Sequence, residues 1–159
     1  HAQTIWGWVQ ILKPAQIIVA NDEAAHDELR KKLLIKLAPD DLAIRILSLE
    51  EAAANLRRDK GTREKIILVV SKPHDAVFLI ENGAPVDRIG VRELTDRPYV
   101  SLGWMSFLPG KRQLLKTVYV DEKDINAFRK LINMGMDVKY QASPSDDKLD
   151  IKDHINKFE

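Results

Sequence analysis

Cysteine is absent from the chain, which excludes disulfides, thiolate nucleophiles and cysteine-ligated zinc and agrees with a reducing compartment. An excess of one charge is missing too. With 25 Lys and Arg against 24 Asp and Glu, no concentrated basic face is expected and nucleic acid is excluded as a partner. No apolar run approaches the roughly 20 residues that cross a bilayer. Any membrane contact is therefore expected to pass through a partner, without direct insertion. With no basic-then-apolar leader, the expected location is the cytoplasm. The nucleotide and hydrolase signatures G-x-G-x-x-G, H-E-x-x-H and G-x-S-x-G do not occur. Pro109-Gly110-Lys111 lacks the spaced glycines and Ser/Thr of a phosphate-binding loop and precedes a strand. An amino-terminal histidine can chelate copper, but only in a secreted chain with further ligands. No metal and no cofactor is expected.

What is present is enough apolar material for a core: 45% of 159 residues are hydrophobic, consistent with a single domain over residues 1–159. Ile5, Trp8, Val9 and Leu12 recur at helical spacing, and Lys13-Pro14 closes that helix. Gln16–Ala20 (QIIVA) is a short β-branched run that predicts a strand buried on both faces. A charged helix follows from Asn21-Asp22 to Pro39, expected to turn Ala25, Leu29, Leu33 and Leu37 inward. LAIRILS predicts a strand, and Ser48-Leu49-Glu50-Glu51 is a capping box opening a helix on Leu49, Ala52, Ala53 and Leu56. After the polar loop RRDKGTRE, KIILVV (Lys65 to Val70) is the most strongly apolar strand. A helix entered at Pro73 then stops at Asn82-Gly83.

Beyond it, VDRIGV reads as strand-like, the stretch through Phe107 is ambiguous, and QLLKTVYV reads as one strand. A helix from Asp121 ends at Gly135, DVKYQA is a strand, SPSDDKLD is a linker, and Ile151, Ile155 and Phe158 mark a terminal helix. Strands alternating with helices predict an α/β fold with one open, mostly parallel sheet and helices on both faces. In such sheets ligands collect beyond the carboxyl ends of the strands. That edge holds Asn21-Asp22, Ser48, Ser71-Lys72-Pro73-His74 and the residues before the first helix, His1-Ala2-Gln3.

Of the four histidines, His26 and His154 read as surface residues, and His74 lies on the candidate edge beside Lys72. His1 directly precedes a helix, where unpaired N–H groups and the helix dipole attract an anion. Its neutral imidazole is an available nucleophile near pH 7, so it could accept and pass on a phosphoryl group. A histidine idle at the chain's beginning is the plainer alternative. Trp6 and Trp104 are expected mainly in core packing, with a partner surface as the other use.

HAQTIWGW, IIVANDEAAHDELRKKLLIKLAP, LSLEEAAANL, KIILVVSKPHDAVFLIENGAPV and LGWMSFLPGKRQLLKTVYVDEKDINAFRKLINMGMDVKYQASPSDDK, taken together and in this order, resemble the IIB components of the mannose/fructose/sorbose family of the bacterial sugar phosphotransferase system. The family's signature is D-x-R-x-x-H-G-Q, matched here by His1 and Gln3. The resemblance implies that His1 is phosphorylated on Nδ1 by the phosphohistidine of a IIA domain. It also implies that His1 passes the group to a sugar entering through membrane IIC and IID components, to which a cytoplasmic IIB attaches peripherally. Holding the phosphate's equatorial oxygens calls for amides and cations, for which the loops offer Gln3, Asn21, Asp22, Ser71, Lys72 and the Gly103 backbone.

The sequence departs from the pattern in three places. Ala2 stands where the signature has glycine, Gly90–Ser101 is longer than expected, and the family's first strand, with its Asp and Arg, has no counterpart before His1. Either the natural chain continues upstream or this is a fragment. A chain truly beginning at His1 is expected to have a weakened sheet and poor phosphotransfer. Two rivals keep the fold: a receiver-like domain phosphorylated on Asp22 and answered by Lys72, and a regulatory or docking module that transfers no sugar phosphate.

Overall fold

The computed structural model describes residues 2–59, 64–85 and 99–158, with backbone only for residues 2–4. In chain order the first elements are α1 (Ala2–Leu12), β1 (Gln16–Ala20), α2 (Asp22–His26), α3 (Glu28–Lys36), β2 (Ala43–Leu47), α4 (Leu49–Arg58), β3 (Ile66–Val70) and α5 (Pro73–Glu81). The second half holds β4 (Tyr99–Leu102), β5 (Arg112–Leu115), β6 (Val118–Val120), α6 (Glu122–Asn133), β7 (Asp137–Tyr140), β8 (Leu149–Asp150) and α7 (Lys152–Asn156). The fold is α/β with an open, mostly parallel sheet, as expected. Among the described residues the ladders run β2-β1-β3, β4-β7-β8 and β5-β6.

β1 is the centre of the first ladder, with Gln16 opposite Ala43 on one side and Ile66 on the other. Consecutive Ile17 and Ile18 are 1% and 0% exposed. Successive strand residues point to opposite faces, so both faces of β1 are covered, as its unbroken apolar run requires. β3, the most apolar strand in the sequence, is a correction: all five of its residues are only half-buried. Among the described residues it pairs with β1 alone, and an edge strand has one flank without a neighbour.

The single charged helix expected after β1 is two helices. Asp27 ends α2 in an extended conformation, and its side chain accepts the Arg30 N–H at 2.9 Å, capping α3. A short carboxylate that bonds the backbone locally competes with helix continuation. The break shifts the helical phase of α3 relative to α2. Ala24 and Ala25 are buried, whereas Leu29, Leu33 and Leu37, expected inward, are exposed.

The α4 capping box is present in both directions, Ser48 Oγ accepting from Glu51 N–H at 3.2 Å and Glu51 accepting from Ser48 N–H at 2.9 Å. Those bonds hold the Glu51 carboxyl below the usual carboxylate range. α5 joins the two halves. Its Leu79 packs with Ile18, Ala20, Ala52 and Ala53, while its Val77 packs with Leu102, Val118, Phe128 and Val138.

QLLKTVYV is the hairpin β5-β6, turning at Lys116-Thr117. No glycine or asparagine marks that turn, because neighbours take up its polar groups: Thr117 O accepts the Met105 N–H at 2.9 Å, and Thr117 Oγ1 donates to Gly103 O at 2.9 Å. SPSDDKLD is also more than a linker. Ser143 N–H donates to Asp146 Oδ2 at 2.8 Å, closing a turn, and Leu149–Asp150 returns as β8 antiparallel to β7. α6 starts in a second capping box, Asp121 with Asp124, and stops at Gly135 with φ 91°. VDRIGV and residues 90–98 of the Gly90–Ser101 stretch lie outside the described residues. Ile151 and Ile155 seat the terminal helix in the core, as expected.

Candidate functional site

The loops at the carboxyl ends of β1, β2 and β3 are bonded to one another. Asn21 Nδ2 donates to Ser71 Oγ at 2.6 Å, and its Oδ1 accepts the Ala24 N–H at 2.8 Å, capping α2. Asp22 reaches across to α4, where its Oδ1 accepts the Leu49 N–H at 2.9 Å. Asn21 N–H donates to Leu47 O at 3.0 Å, so the first turn after β1 is held to the end of β2. The sequence placed Asn21, Asp22, Ser48 and Ser71 at one edge because parallel strands end together. The structure adds that three of them are hydrogen-bonded into it.

Lys72 and Asp75 complete this cluster. Lys72 is the exposed amino-terminal flank of α5, and Pro73 occupies that helix's first turn, where no N–H is needed. Burial pushes the Asp75 carboxyl up, His74 and Lys72 pull it down, and the Asp22 charge adds to the upward push. His74 Nε2 lies 3.8 Å from Asp75 Oδ1. Asp75 was missed in the sequence, although an acid in the first turn of a helix opening on the candidate edge was its signal.

Gly103 belongs to the other half, just past the carboxyl end of β4. Beside it is a buried polar knot: Tyr99 OH donates to Gln141 Oε1 at 2.6 Å, Ser101 Oγ donates to Gln141 O at 2.6 Å, and Gln141 N–H donates to Leu102 O at 3.0 Å. Burial is the main reason the Tyr99 phenol is pushed up to about 12, with Asp137 adding and Lys139 opposing. Gln141 went unnoticed in DVKYQA, although a polar residue ending an apolar strand is the same signal that marked Ser71. Among the described residues no direct hydrogen bond joins Gly103 to the Asn21–Ser71 cluster.

α1 approaches this side of the molecule from its own sequence constraints. At its carboxyl end, Ala15 N–H donates to Lys65 O at 2.9 Å, which sets the helix exit at the amino ends of β1 and β3. Eleven residues at about 1.5 Å each cover the length of a five-residue strand at about 3.3 Å each. Mid-helix Gly7 is explained by closeness: a Cβ there would stand 3.2 Å from Pro144 Cδ, in the turn beyond β7. Trp8, one residue on, is buried. His1 and the Gln3 side chain lie outside the described residues.

Several residues weighed in the sequence have structural partners or exposures of their own. Lys111 is not a phosphate ligand: its Nζ is 2.6 Å from Asp124 Oδ2, with the side chains 13% and 2% exposed. Asp22 is occupied as the acceptor of the α4 amide. His26 is exposed, its Nδ1 donating to Asp22 O at 2.7 Å. Trp104, expected mainly in the core, is 51% exposed. A hollow of about 360 Å³ lined by Asp137, Lys139 and Asp150 lies by the amino end of β7, away from the candidate edge. There Lys139 is held between the two carboxylates at 3.1 and 2.8 Å.

Comparison with known proteins agrees with this architecture. The family profile described as phosphotransferase system (PTS) sorbose subfamily IIB component matches residues 1–159. The chain is 30% identical to the sorbose-specific EIIB component of Klebsiella pneumoniae over 156 residues, 98% of this chain and 88% of that protein. It is 31% identical over 159 residues, all of this chain, to the mannose-specific EIIAB component of Escherichia coli strain K12, spanning 46% of that longer protein. The crystal structure of the IIB domain of the Klebsiella pneumoniae sorbose permease superposes with a TM-score of 0.86 at 30% identity, covering 99% of this chain and 90% of that one.

Proposed function

Since the chain belongs to the sorbose-subfamily IIB components of the sugar phosphotransferase system, a family whose role is sugar phosphotransfer, we propose that His1 is the residue that carries the phosphoryl group. In this reading Nδ1 of His1 attacks the phosphorus of a IIA phosphohistidine, the donor's P–N bond breaks as the new one forms, and the donor imidazole leaves. In a second transfer a sugar hydroxyl attacks, releases its proton, and takes the group from His1. The reaction needs position and charge stabilisation more than acid or base catalysis.

The observation that carries the reading is that α1 begins at Ala2, one residue after His1, and has no acidic residue in its first turn. Its amino-terminal amides and positive dipole end are not opposed by a carboxylate of its own first turn, so a dianionic phosphate is favoured. Lys72 supplies a mobile cation for the equatorial oxygens. Asn21, Asp22 and Ser71 order the adjoining loops through their hydrogen bonds, while Gln3 and the Gly103 amide are further donors. A IIA domain is the natural donor, because the matched mannose-specific relative is named as a IIAB protein and the match spans less than half of it. Membrane IIC and IID components are the recipients of the IIB domain, which works at the cytoplasmic face. Among the described residues no helix is long and apolar enough to cross a membrane.

Relatives named for sorbose and for mannose match at 30% and 31% identity, so the sugar is set outside this comparison. The receiver-like alternative is disfavoured by Asp22 itself, whose Oδ1 is engaged with Leu49 N–H. The test is to incubate the protein, carrying any natural sequence upstream of His1, with IIA bearing labelled phosphohistidine and follow the label. The expected product is alkali-stable, acid-labile and lost in His1→Ala. Label retained by His1→Ala overturns the assignment of the residue, and acid-stable label or none at all overturns the carrier reading in favour of a regulatory module.

A further inference from the structure

The outward face of α3 has no use in phosphate transfer, and its composition is unusual for a surface helix. Leu29, Leu33 and Leu37 are 70%, 56% and 61% exposed. They fall at i, i+4 and i+8, one stripe along the helix. Lys32 and Lys36 border the stripe on one side and Arg30 on the other, at about 100° per residue, and all three are exposed. Away from the stripe, Leu34 and Lys31 are half-buried, the latter paired with Glu28 at 3.1 Å, while Ile35 is 50% exposed and no residue of the helix is fully buried. A helix that folds only to cover a core would be turned the other way.

We propose that α3 is a membrane-surface element: the stripe Leu29–Leu33–Leu37, flanked by Arg30, Lys32 and Lys36, adsorbs to an anionic lipid bilayer. The charge pattern selects this occupant. The helix carries Arg30, Lys31, Lys32 and Lys36 against Glu28 alone. A second copy laid on the stripe would bring like charges together, and the centres of protein interfaces are depleted in lysine. Leucines beside basic residues match the boundary between acyl chains and anionic headgroups, where the leucines enter and the cations stay at headgroup level. Adsorption by so short a stripe is weak and reversible. The sequence assigned membrane contact to a partner, and this helix supplies a direct contact as well. The inference is independent of which residue carries phosphate.

The test is flotation or cosedimentation of the whole chain with phosphatidylcholine vesicles, with and without about 30% phosphatidylglycerol. Binding is expected only to the anionic vesicles, falling with added salt. Lys32→Gln/Lys36→Gln is expected to weaken it about twenty-five-fold, at roughly fivefold for each charge near the surface. Leu33→Ser/Leu37→Ser is expected to weaken it at least about tenfold. The replaced side chains are exposed, so melting temperatures should match the parent and exclude misfolding. The proposal is overturned if anionic vesicles do not bind the chain, or if both double variants bind as the parent does. It is also overturned if sedimentation velocity shows a dimer that Leu33→Ser/Leu37→Ser converts to monomer, which would make a second copy the occupant.

Discussion

Replacing Lys111 by Met should cost about 3–5 kcal/mol of folding stability, the usual penalty for breaking a buried ion pair. Asp124 is 2% exposed, and its Oδ2 receives both Lys111 Nζ at 2.6 Å and Asp121 N–H at 3.1 Å. With the lysine gone, a carboxylate remains inside the protein holding one backbone amide. Asp124→Asn should cost about as much from the other side, because it strands the Lys111 ammonium while an amide oxygen still serves the cap. The double variant Lys111→Met/Asp124→Asn leaves no buried charge and keeps the cap acceptor, so it should fall within about 2 kcal/mol of the parent. Against the 5–15 kcal/mol typical of a whole domain, either single change is large enough to read without ambiguity. Urea unfolding followed by far-UV circular dichroism measures all four proteins, with the slope held in common. If the two single losses simply add in the double variant, the lysine and carboxylate are not coupled and the reasoning fails. The same result bears on function, because a lysine locked in the core of the α6 cap is not a phosphate ligand despite its Gly-Lys context.

Tyr99 gives a pH signature. Its phenol, pushed up to about 12 chiefly by burial, binds its proton more tightly in the folded state than at the ordinary value near 10. The stabilisation is therefore complete below about pH 10 and lost as the pH rises towards 12. Tyr99→Phe should flatten the fall in melting temperature over that window, and should cost about 1–3 kcal/mol at neutral pH by leaving Gln141 Oε1 without its donor. Parallel melting curves against pH would refute the assignment. At the candidate edge, Lys72→Ala should slow phosphate transfer from IIA roughly tenfold, less than the hundredfold or more of a buried charge stabiliser, because Lys72 is exposed and its charge is screened by water. Its melting temperature should not change, and a rapid-quench rate equal to the parent's would remove Lys72 from the site.

Much of the fold is legible in short stretches of sequence. The α/β alternation, the strand at Gln16–Ala20, both ends of α5 and the Ser48 capping box follow from patterns a few residues long, because buried parallel strands and helix ends satisfy their backbone groups locally. The gathering of Asn21, Asp22 and Ser71 was legible for a similar reason, since parallel neighbours finish at one edge. Other features required partners distant in sequence. Nothing within QLLKTVYV marks a turn at Lys116-Thr117, because Met105 and Gly103 meet that turn's polar groups. Glycine at position 7 has no purpose until Pro144 is placed 3.2 Å from its missing Cβ.

The sequence by itself determined the kind of fold, the edge on which chemistry would gather, and His1 as the candidate for it. Tertiary structure decided which way identical chemistry faced. Leu29, Leu33 and Leu37 have the spacing of a buried stripe, and helical periodicity cannot tell inside from outside. The helix breaks at Asp27, and the stripe beyond the break faces solvent. Lys111 and Lys72 are both lysines beside apparent turn residues, yet one meets a buried carboxylate and the other open solvent at a helix start. The difference lies in what folding brings against each ammonium, and local sequence does not encode that.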